Sequence, residues 1–435
     1  MEDSMAKVKE MLLPKDPRYL KYPLEAPFDK EKAYWIAFNC SRCSVCKWVD
    51  SWRVKSAKYA RICPQHTRYL YDSHSGQGKC DLARALIEGK LKWEDDPEIK
   101  DILFKCTMCG GCDAMDKGIR DAELVKLYRW MRHEYIKKFG PLPEHKAMID
   151  SVKQYDNVWL QPRSKRNSWA KELKNLGIKD LNKEKAEVLL FVGCTYGLSQ
   201  ELKPTIINIA KILKQNKIDF GILGDKELCC GSPPEKTGLL EEFERLGTAN
   251  IKRFNELGIK KLITPCAGCY GTIRVEYDEL PVKKKFEVLH VSEYMTQLAL
   301  DKKIKYKKEI PVSVTWHDPC HMGRLGRPYV PGKDLDGVYD EPRAILKSIP
   351  GVELVEMERI KEYAWCCGGG GGAFTGFKDF AQWTARERLT EAKDTGAAMI
   401  VTSCPWCESN LRAGGIGMEE KMEVKNLFDL MMEAL

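Results

Sequence analysis

From residue 188 onward, short runs of aliphatic and β-branched residues alternate with longer stretches whose apolar positions recur every three or four residues. EVLLFVG ahead of Cys194 and VSVTWHDP ahead of Cys320 read as strands, as do DFGIL at 219–223 and VELVEM at 352–357. The spacing of Leu239, Phe243, Leu246, Phe254 and Leu257 predicts an amphipathic helix, and that of Phe377, Ala381, Ala385, Leu389 and Ala392 predicts a second. Gly258 and Gly396 stand where a left-handed residue would close those helices, and the β-rich runs KKLITP and AAMIVTS follow. Alternating strand and helix predicts an α/β fold with parallel sheets, whose sites lie beyond the carboxyl ends of the strands.

The pattern occurs twice, and both copies deliver cysteines at the same stations. The first carries Cys194, Cys229-Cys230-Gly231 and Cys266-x-x-Cys269; the second carries Cys320, Cys366-Cys367-Gly368 and Cys404-x-x-Cys407. Terminal glycine and first cysteine of the last pair are eight residues apart in each copy. This is an internal repeat.

Composition narrows the class. A chain of 435 residues is long for one core, and 18 Cys are too few for a small disulfide scaffold and too many for ordinary buried thiols. The N-terminus has no apolar core followed by a small-residue cleavage site. We therefore expect a cytoplasmic protein in a reducing compartment, where cysteines at short spacings are metal ligands. The longest apolar runs, such as Val188 to Val192, are far short of the roughly 20 residues needed to cross a bilayer, so membrane contact is expected only through a partner. The formal charge of +8 counts every cysteine as neutral, and bound thiolates would remove much of it, so no nucleic-acid partner is expected. Lysine-rich KKIKYKKE at 302–309 reads as a solvated linker.

Upstream, Cys40-x-x-Cys43-x-x-Cys46 and Cys106-x-x-Cys109-x-x-Cys112 place thiolates at three-residue steps, a rhythm that wraps a cubane iron–sulfur cluster and leaves its fourth ligand to come from elsewhere. Zinc is the competing metal, but its structural sites draw on separated pairs. In the two-cluster ferredoxin pattern a Cys-Pro follows each triplet and ligates the other cluster. Here sixteen residues intervene between Cys46 and Cys63-Pro64, and Asp116 stands where a cysteine is expected after Cys112. Cys63 is the expected partner of Cys106, Cys109 and Cys112. For Cys40, Cys43 and Cys46 the candidates are Cys80, at the start of the helical segment DLARALIEG, then Asp116, then a three-iron cluster or water. The domains expected are an N-terminal extension (1–32), a helical two-cluster ferredoxin-like domain (33–145), a linker (146–187) with the surface connector QPRSKRNSWAKELKNLGIKDLNKEK, and two α/β repeats (188–310 and 311–435).

Both repeats resemble the cysteine-rich CCG domain of heterodisulfide reductase catalytic subunits, and the order of ferredoxin block and two CCG repeats resembles the fused D-type arrangement over roughly residues 33 to 435. The resemblance implies a noncubane [4Fe-4S] cluster on Cys194, Cys229, Cys230, Cys266 and Cys269 and another on Cys320, Cys366, Cys367, Cys404 and Cys407, beside two cubane [4Fe-4S] clusters. With Cys80 included, all 18 cysteines are then ligands. Gly231, Gly368, Gly369 and Gly370 would bring backbone amides up to the cluster sulfurs. Gly368, Gly370 and Ala373 also fit G-x-G-x-x-A, but the run follows a cysteine pair and lacks an acidic partner about twenty residues on, which argues against a dinucleotide site.

In His317-Asp318-Pro319-Cys320-His321, followed by Arg324 and Arg327, His321 is a candidate proton donor, with the arginines gripping an anion. The plainer alternative is hydrogen bonding that holds the Cys320 loop. The resemblance implies an oxidoreductase subunit in which cubanes pass electrons to noncubane clusters that reduce a disulfide. Its partners would be flavin- or ferredoxin-type subunits. The alternative is a pure relay without its own substrate, as in anaerobic acyl-CoA or aryl-CoA (benzoyl-CoA reductase-type) systems or a flavin dehydrogenase complex; a zinc-bound scaffold is a third class.

Overall fold

The computed structural model describes residues 28–116, 123–301, 303–327 and 337–435. Of the expected extension 1–32, residues 1–27 lie outside them.

The N-terminal block is helical. Helix α1 (Lys30–Asn39) starts behind Asp29, whose carboxylate accepts the Lys32 N–H at 2.8 Å. Helix α2 (Gly76–Ile87) is capped by the Ser75 hydroxyl, and α3 (Leu124–Phe139) and α4 (Pro143–Tyr155) complete the block. Their apolar faces meet in one core around Ile36, Ala83, Leu127, Met131 and Ile149.

The first repeat is a parallel sheet of β1 (Lys179–Asp180), β2 (Val188–Leu190), β3 (Phe220–Ile222), β4 (Lys261–Thr264) and β5 (Glu287–His290), in the order β1-β3-β2-β4-β5. Against it pack α5 (Lys203–Gln215), α6 (Leu240–Leu257) and α7 (Ala267–Arg274). The second repeat has β6 (Val312–Trp316), β7 (Val352–Leu354), β8 (Met399–Thr402) and β9 (Glu423–Asn426), parallel in the order β7-β6-β8-β9. Helices α8 (Lys378–Lys393), α9 (Pro405–Gly415) and α10 (Leu427–Ala434) accompany it. Without β1 the two orders are the same. The six strands read from the sequence are all present. Strands β5 and β9 escaped that reading because each is a four-residue edge with its first residue exposed and its third half-buried.

Two local expectations change. Gly258, at φ 64°, ends α6 directly, whereas α8 stops at Lys393 and Gly396, at φ 76°, serves the turn into β8. The stretch taken for a surface connector is anchored: Trp169 is buried in the core beside Leu190 and Ile206, and Arg166 is buried against Glu227 at 2.7 Å. Residues 179–180 then add β1 to the edge of the first sheet.

The repeats share their interior. Leu190, Ile209 and Ile263 of the first lie in one apolar cluster with Val314, Trp316 and Phe428 of the second. Among the described residues, no helix is long and apolar enough to cross a membrane.

Candidate metal centres

All 18 cysteines carry free thiols, and the fold gathers all of them but Cys366 around three cavities. Cys40 follows α1, Cys43 and Cys46 lie on the turn beyond it, and Cys80 comes from α2; together they line a small cavity that Asp116 also borders. Cys80 is on the second turn of α2, with Ser75 as the cap, so its position owes nothing to a helix N-terminus. The Cys80 thiol hydrogen-bonds Cys40, drawing the Cys40 pKa down to about 7 against the opposing effect of burial.

Cys63, Cys106, Cys109 and Cys112 line a second small cavity with Lys79 and Tyr128. Tyr128 donates its hydroxyl to Cys112 Sγ at 3.6 Å, and buried Lys79 is held by Gln65 Oε1 at 2.7 Å and the His74 carbonyl at 3.0 Å. Gly76 borders both cavities: a Cβ there would lie 3.1 Å from Cys46 Sγ and 3.2 Å from the Tyr128 hydroxyl. A larger residue would push the two thiol sets apart.

The third place is one cavity of about 100 Å³ between the repeats. All five cysteines of the first repeat line it, with Cys320, Cys367, Cys404 and Cys407 of the second. The x-x-Cys pairs straddle the starts of α7 and α9, where Cys266 and Cys404 are the capping residues. Backbone amides reach the vicinal thiols: Gly231 N lies 3.5 Å from Cys229 Sγ, Gly368 N 3.3 Å from Cys366 Sγ and Gly369 N 3.4 Å from Cys367 Sγ. Asn250 donates to the Cys229 carbonyl at 2.9 Å and Asn410 to the Cys367 carbonyl at 2.5 Å, fixing the backbone of each pair.

Thiol contacts connect the places. Cys266 hydrogen-bonds Cys404 across the repeat boundary. Cys366 turns to the N-terminal block, and its hydrogen bond draws Cys109 down to about 6 despite burial. The second repeat, not the sequence-adjacent first, therefore abuts the ferredoxin-like thiols. The glycine run explains how: a Cβ on Gly370 would lie 2.8 Å from the Thr107 carbonyl oxygen, and one on Gly371, at φ +62°, 2.6 Å from that of Cys106. On that side the bare backbone is filled by protein, while Gly369 to Gly372 also line the cavity between the repeats.

Ligand chemistry is consistent throughout. The cavity's ammonium, Lys236, is already matched by Glu235 at 2.8 Å and by Glu276. Deprotonated, so many buried thiols need cations from outside the chain, and soft sulfur donors suit iron–sulfur clusters.

His321 lines the same cavity, with Nδ1 3.2 Å from Cys320 Sγ and no hydrogen-bond partner on Nε2. Burial disfavours its charge, but Cys320 outweighs burial and raises its pKa. Arg324 is not an anion grip. Its guanidinium donates to the carbonyls of Cys109 at 3.0 Å, Glu362 at 2.8 Å and Ala364 at 2.7 Å, tying the second triplet to the second repeat. Arg327 is paired with Glu293 at 2.9 Å. Sequence reasoning missed Gly76, Lys79, Tyr128, Asn250 and Asn410, none of which has a periodic signature; the repeat of an asparagine on both vicinal pairs arises from different offsets along the chain.

Residues 188–274 and 314–412 match the family model described as the cysteine-rich domain. The chain is 32% identical over 408 residues to the D-type subunit of the dihydromethanophenazine:CoB–CoM heterodisulfide reductase of Methanosarcina mazei, covering 91% of this chain and 93% of that one. The protein of the same name from Methanosarcina barkeri is 31% identical with the same coverage. The EtfAB:quinone oxidoreductase of Syntrophomonas wolfei is 29% identical over 75% of this chain and 45% of its own length. With the repeated cysteine-rich fold and its gathered thiols, these likenesses identify the chain as a member of the heterodisulfide reductase D-type family of iron–sulfur oxidoreductase subunits.

Proposed function

We propose that the chain holds two cubane [4Fe-4S] clusters, on Cys40, Cys43, Cys46 and Cys80 and on Cys63, Cys106, Cys109 and Cys112, and two noncubane clusters on the cysteines of the two repeats. The observation that carries this reading is the shared cavity: nine of the ten repeat cysteines line it, with Cys266 against Cys404. When bound, the clusters supply single electrons and iron sites for sulfur. The chain's part is to seat a disulfide between its two cysteine sets, so that each sulfur faces one set. Cleavage consumes two electrons and two protons and yields two thiols. His321, beside Cys320, is placed to hand over one proton. Electrons then run from the Cys40 set past Gly76 to the Cys106 set, through Cys109 and Cys366 to the second repeat, and on to the first.

The substrate is a thiol disulfide, the class named for the Methanosarcina relatives, and the donors are flavin- or ferredoxin-type subunits in the cytoplasm. A second reading, a relay without its own substrate, is supported by the likeness to the quinone oxidoreductase of Syntrophomonas wolfei.

Reduced viologen with a panel of thiol disulfides separates them. Turnover by the isolated, cluster-loaded chain is expected; activity that appears only with a partner protein makes the chain a relay. Iron and acid-labile sulfide near 16 per chain with negligible zinc are expected for four clusters, and about half that would leave the repeat cysteines without clusters.

A further inference from the structure

The two repeats have the same cysteines but not the same residue behind them. Three residues before Cys320 stands His317; three before Cys194 stands Phe191. The equivalence is structural as well. The His317 N–H donates to the Val401 carbonyl at 2.9 Å, and the Phe191 N–H to the Ile263 carbonyl at 2.9 Å; Val401 and Ile263 each precede the first cysteine of the x-x-Cys pair by three residues.

His317 is buried, and one of its ring nitrogens lies within 4.8 Å of Cys367 Sγ and Cys407 Sγ, which are equally close to each other. This trio has the composition of a metal site, so the imidazole is either a ligand or a hydrogen-bond donor. Arg388 decides. Its Nε, always protonated, donates to His317 Nδ1 at 3.2 Å, so the Nδ1 lone pair is engaged and Nδ1 cannot carry a proton. A neutral ring must then hold its proton on Nε2, which has no hydrogen-bond partner of its own and is left to face the thiols. A protonated Nε2 has no lone pair for iron. Arg388 is itself fixed, donating to Glu391 Oε2 at 2.7 Å and to the Arg359 carbonyl at 2.9 Å, with His317, Arg388 and Glu391 all buried. Sixteen residues before Cys266, where Arg388 precedes Cys404, stands Asn250, and its amide serves the Cys229 carbonyl instead.

We propose that His317 donates an N–H to the Cys367/Cys407 thiolate pair and thereby makes the second repeat's cluster the more readily reduced of the two. Hydrogen bonds to cluster sulfurs disperse the negative charge added on reduction and raise the potential. Phe191 offers the first repeat no such bond. The repeat that touches the N-terminal thiols through Cys366 thus retains an arriving electron. This rests on the reading that the repeat cysteines hold clusters.

The test is a redox titration of the full-length, cluster-loaded chain followed by electron paramagnetic resonance, with iron and sulfide counted in each sample. His317→Phe, which copies the first repeat, is expected to lower the midpoint of one repeat cluster by a tenfold change in its one-electron equilibrium, about 60 mV, with metal content and the other midpoints unchanged. His317→Gln, which keeps an N–H, should fall between the two. Where only His317→Phe loses iron, the midpoint of His317→Gln decides: lowered supports the assignment, unmoved overturns it. Unmoved midpoints in both variants overturn it, and so does loss of second-repeat iron in both, which would make His317 a ligand. A wild-type chain with no signal from the repeat cysteines overturns the cluster reading itself, and this assignment with it.

Discussion

After Cys229-Cys230-Gly231 the first repeat continues with Ser232-Pro233-Pro234, whereas after Cys366-Cys367-Gly368 the second continues with four more glycines. Both pairs receive an amide from the glycine that follows, and in each an asparagine holds one cysteine carbonyl, that of Cys229 in the first and of Cys367 in the second. What differs is the neighbour. In the first repeat the prolines open a short helix; in the second the bare backbone lies against the Cys106 and Thr107 carbonyls. The same cysteine set thus occupies two positions, one facing the N-terminal thiols and one facing away. Cysteine chemistry is set by the repeat, and its connection by side chains that the repeat does not share.

Gly371→Val is expected to have the largest effect, because the new side chain meets the Cys106 carbonyl oxygen at a backbone φ of +62° that β-branched residues avoid. A loss of about 4 kcal/mol in thermal unfolding is expected, with slow reduction of the repeat clusters from the N-terminal block. Pro234→Ala, at the matching place in the first repeat, should cost less than about 1 kcal/mol. Equal losses in the two variants would mean that the repeats dock alike.

Arg132→Met comes next. This buried guanidinium donates to the Leu103 and Cys106 carbonyls at 2.6 Å, to Lys236 at 2.6 Å and to Gly371 at 2.7 Å, so it joins the N-terminal block to both repeats. Stranding these carbonyls should cost about 3 kcal/mol. A change under about 1 kcal/mol in denaturant unfolding would show that water replaces the guanidinium and that the junction is looser than its hydrogen bonds imply.

Cys80→Ser acts further from the repeats. Loss of about a quarter of the iron, with the repeat signals intact, is expected if Cys80 completes the first N-terminal cluster. Asp116→Asn should leave iron content and spectra unchanged. The reverse pattern would transfer the ligand role to Asp116, which borders the same cavity.

Much of the repeat fold was legible because buried parallel strands announce themselves as apolar runs such as Val188 to Val192, and because the second copy confirms the first. The half-exposed edges β5 and β9 carry too little pattern over four residues. The two triplets and the repeated cysteine stations could be read from spacing, but the place of Cys80 beside Cys40, Cys43 and Cys46 could not. Which groups adjoin could not, since the contact of Cys366 with Cys109 joins residues far apart in sequence through glycines whose only signal is the absence of side chains. Arg324 looked like an anion grip beside Cys320 for a related reason: its three carbonyl partners come from other segments.

The smallest effect near neutral pH concerns His145, which sharpens the contrast from the side of the glycine run. Its Nε2 lies 3.0 Å from the Gly372 carbonyl oxygen and donates to it, a contact without a counterpart among the prolines of the first repeat. Burial pulls its pKa down from 6.5 to about 4; Arg132 acts in the same direction, while the Gly372 bond and Glu144 oppose it. The unfolded chain therefore takes up the proton first. The stability that depends on a neutral ring is intact above pH 6.5 and is lost as the pH falls toward 4. Linkage gives a loss of less than about 1 kcal/mol at pH 6 and about 3 kcal/mol at pH 4. His145→Gln keeps a donor for Gly372 but does not titrate. The difference between wild-type and variant unfolding midpoints, in which acid lability common to both cancels, should grow in the variant's favour below pH 6.5. Curves that stay parallel to pH 4 would place the acid sensitivity elsewhere and leave the glycine-run junction indifferent to protonation.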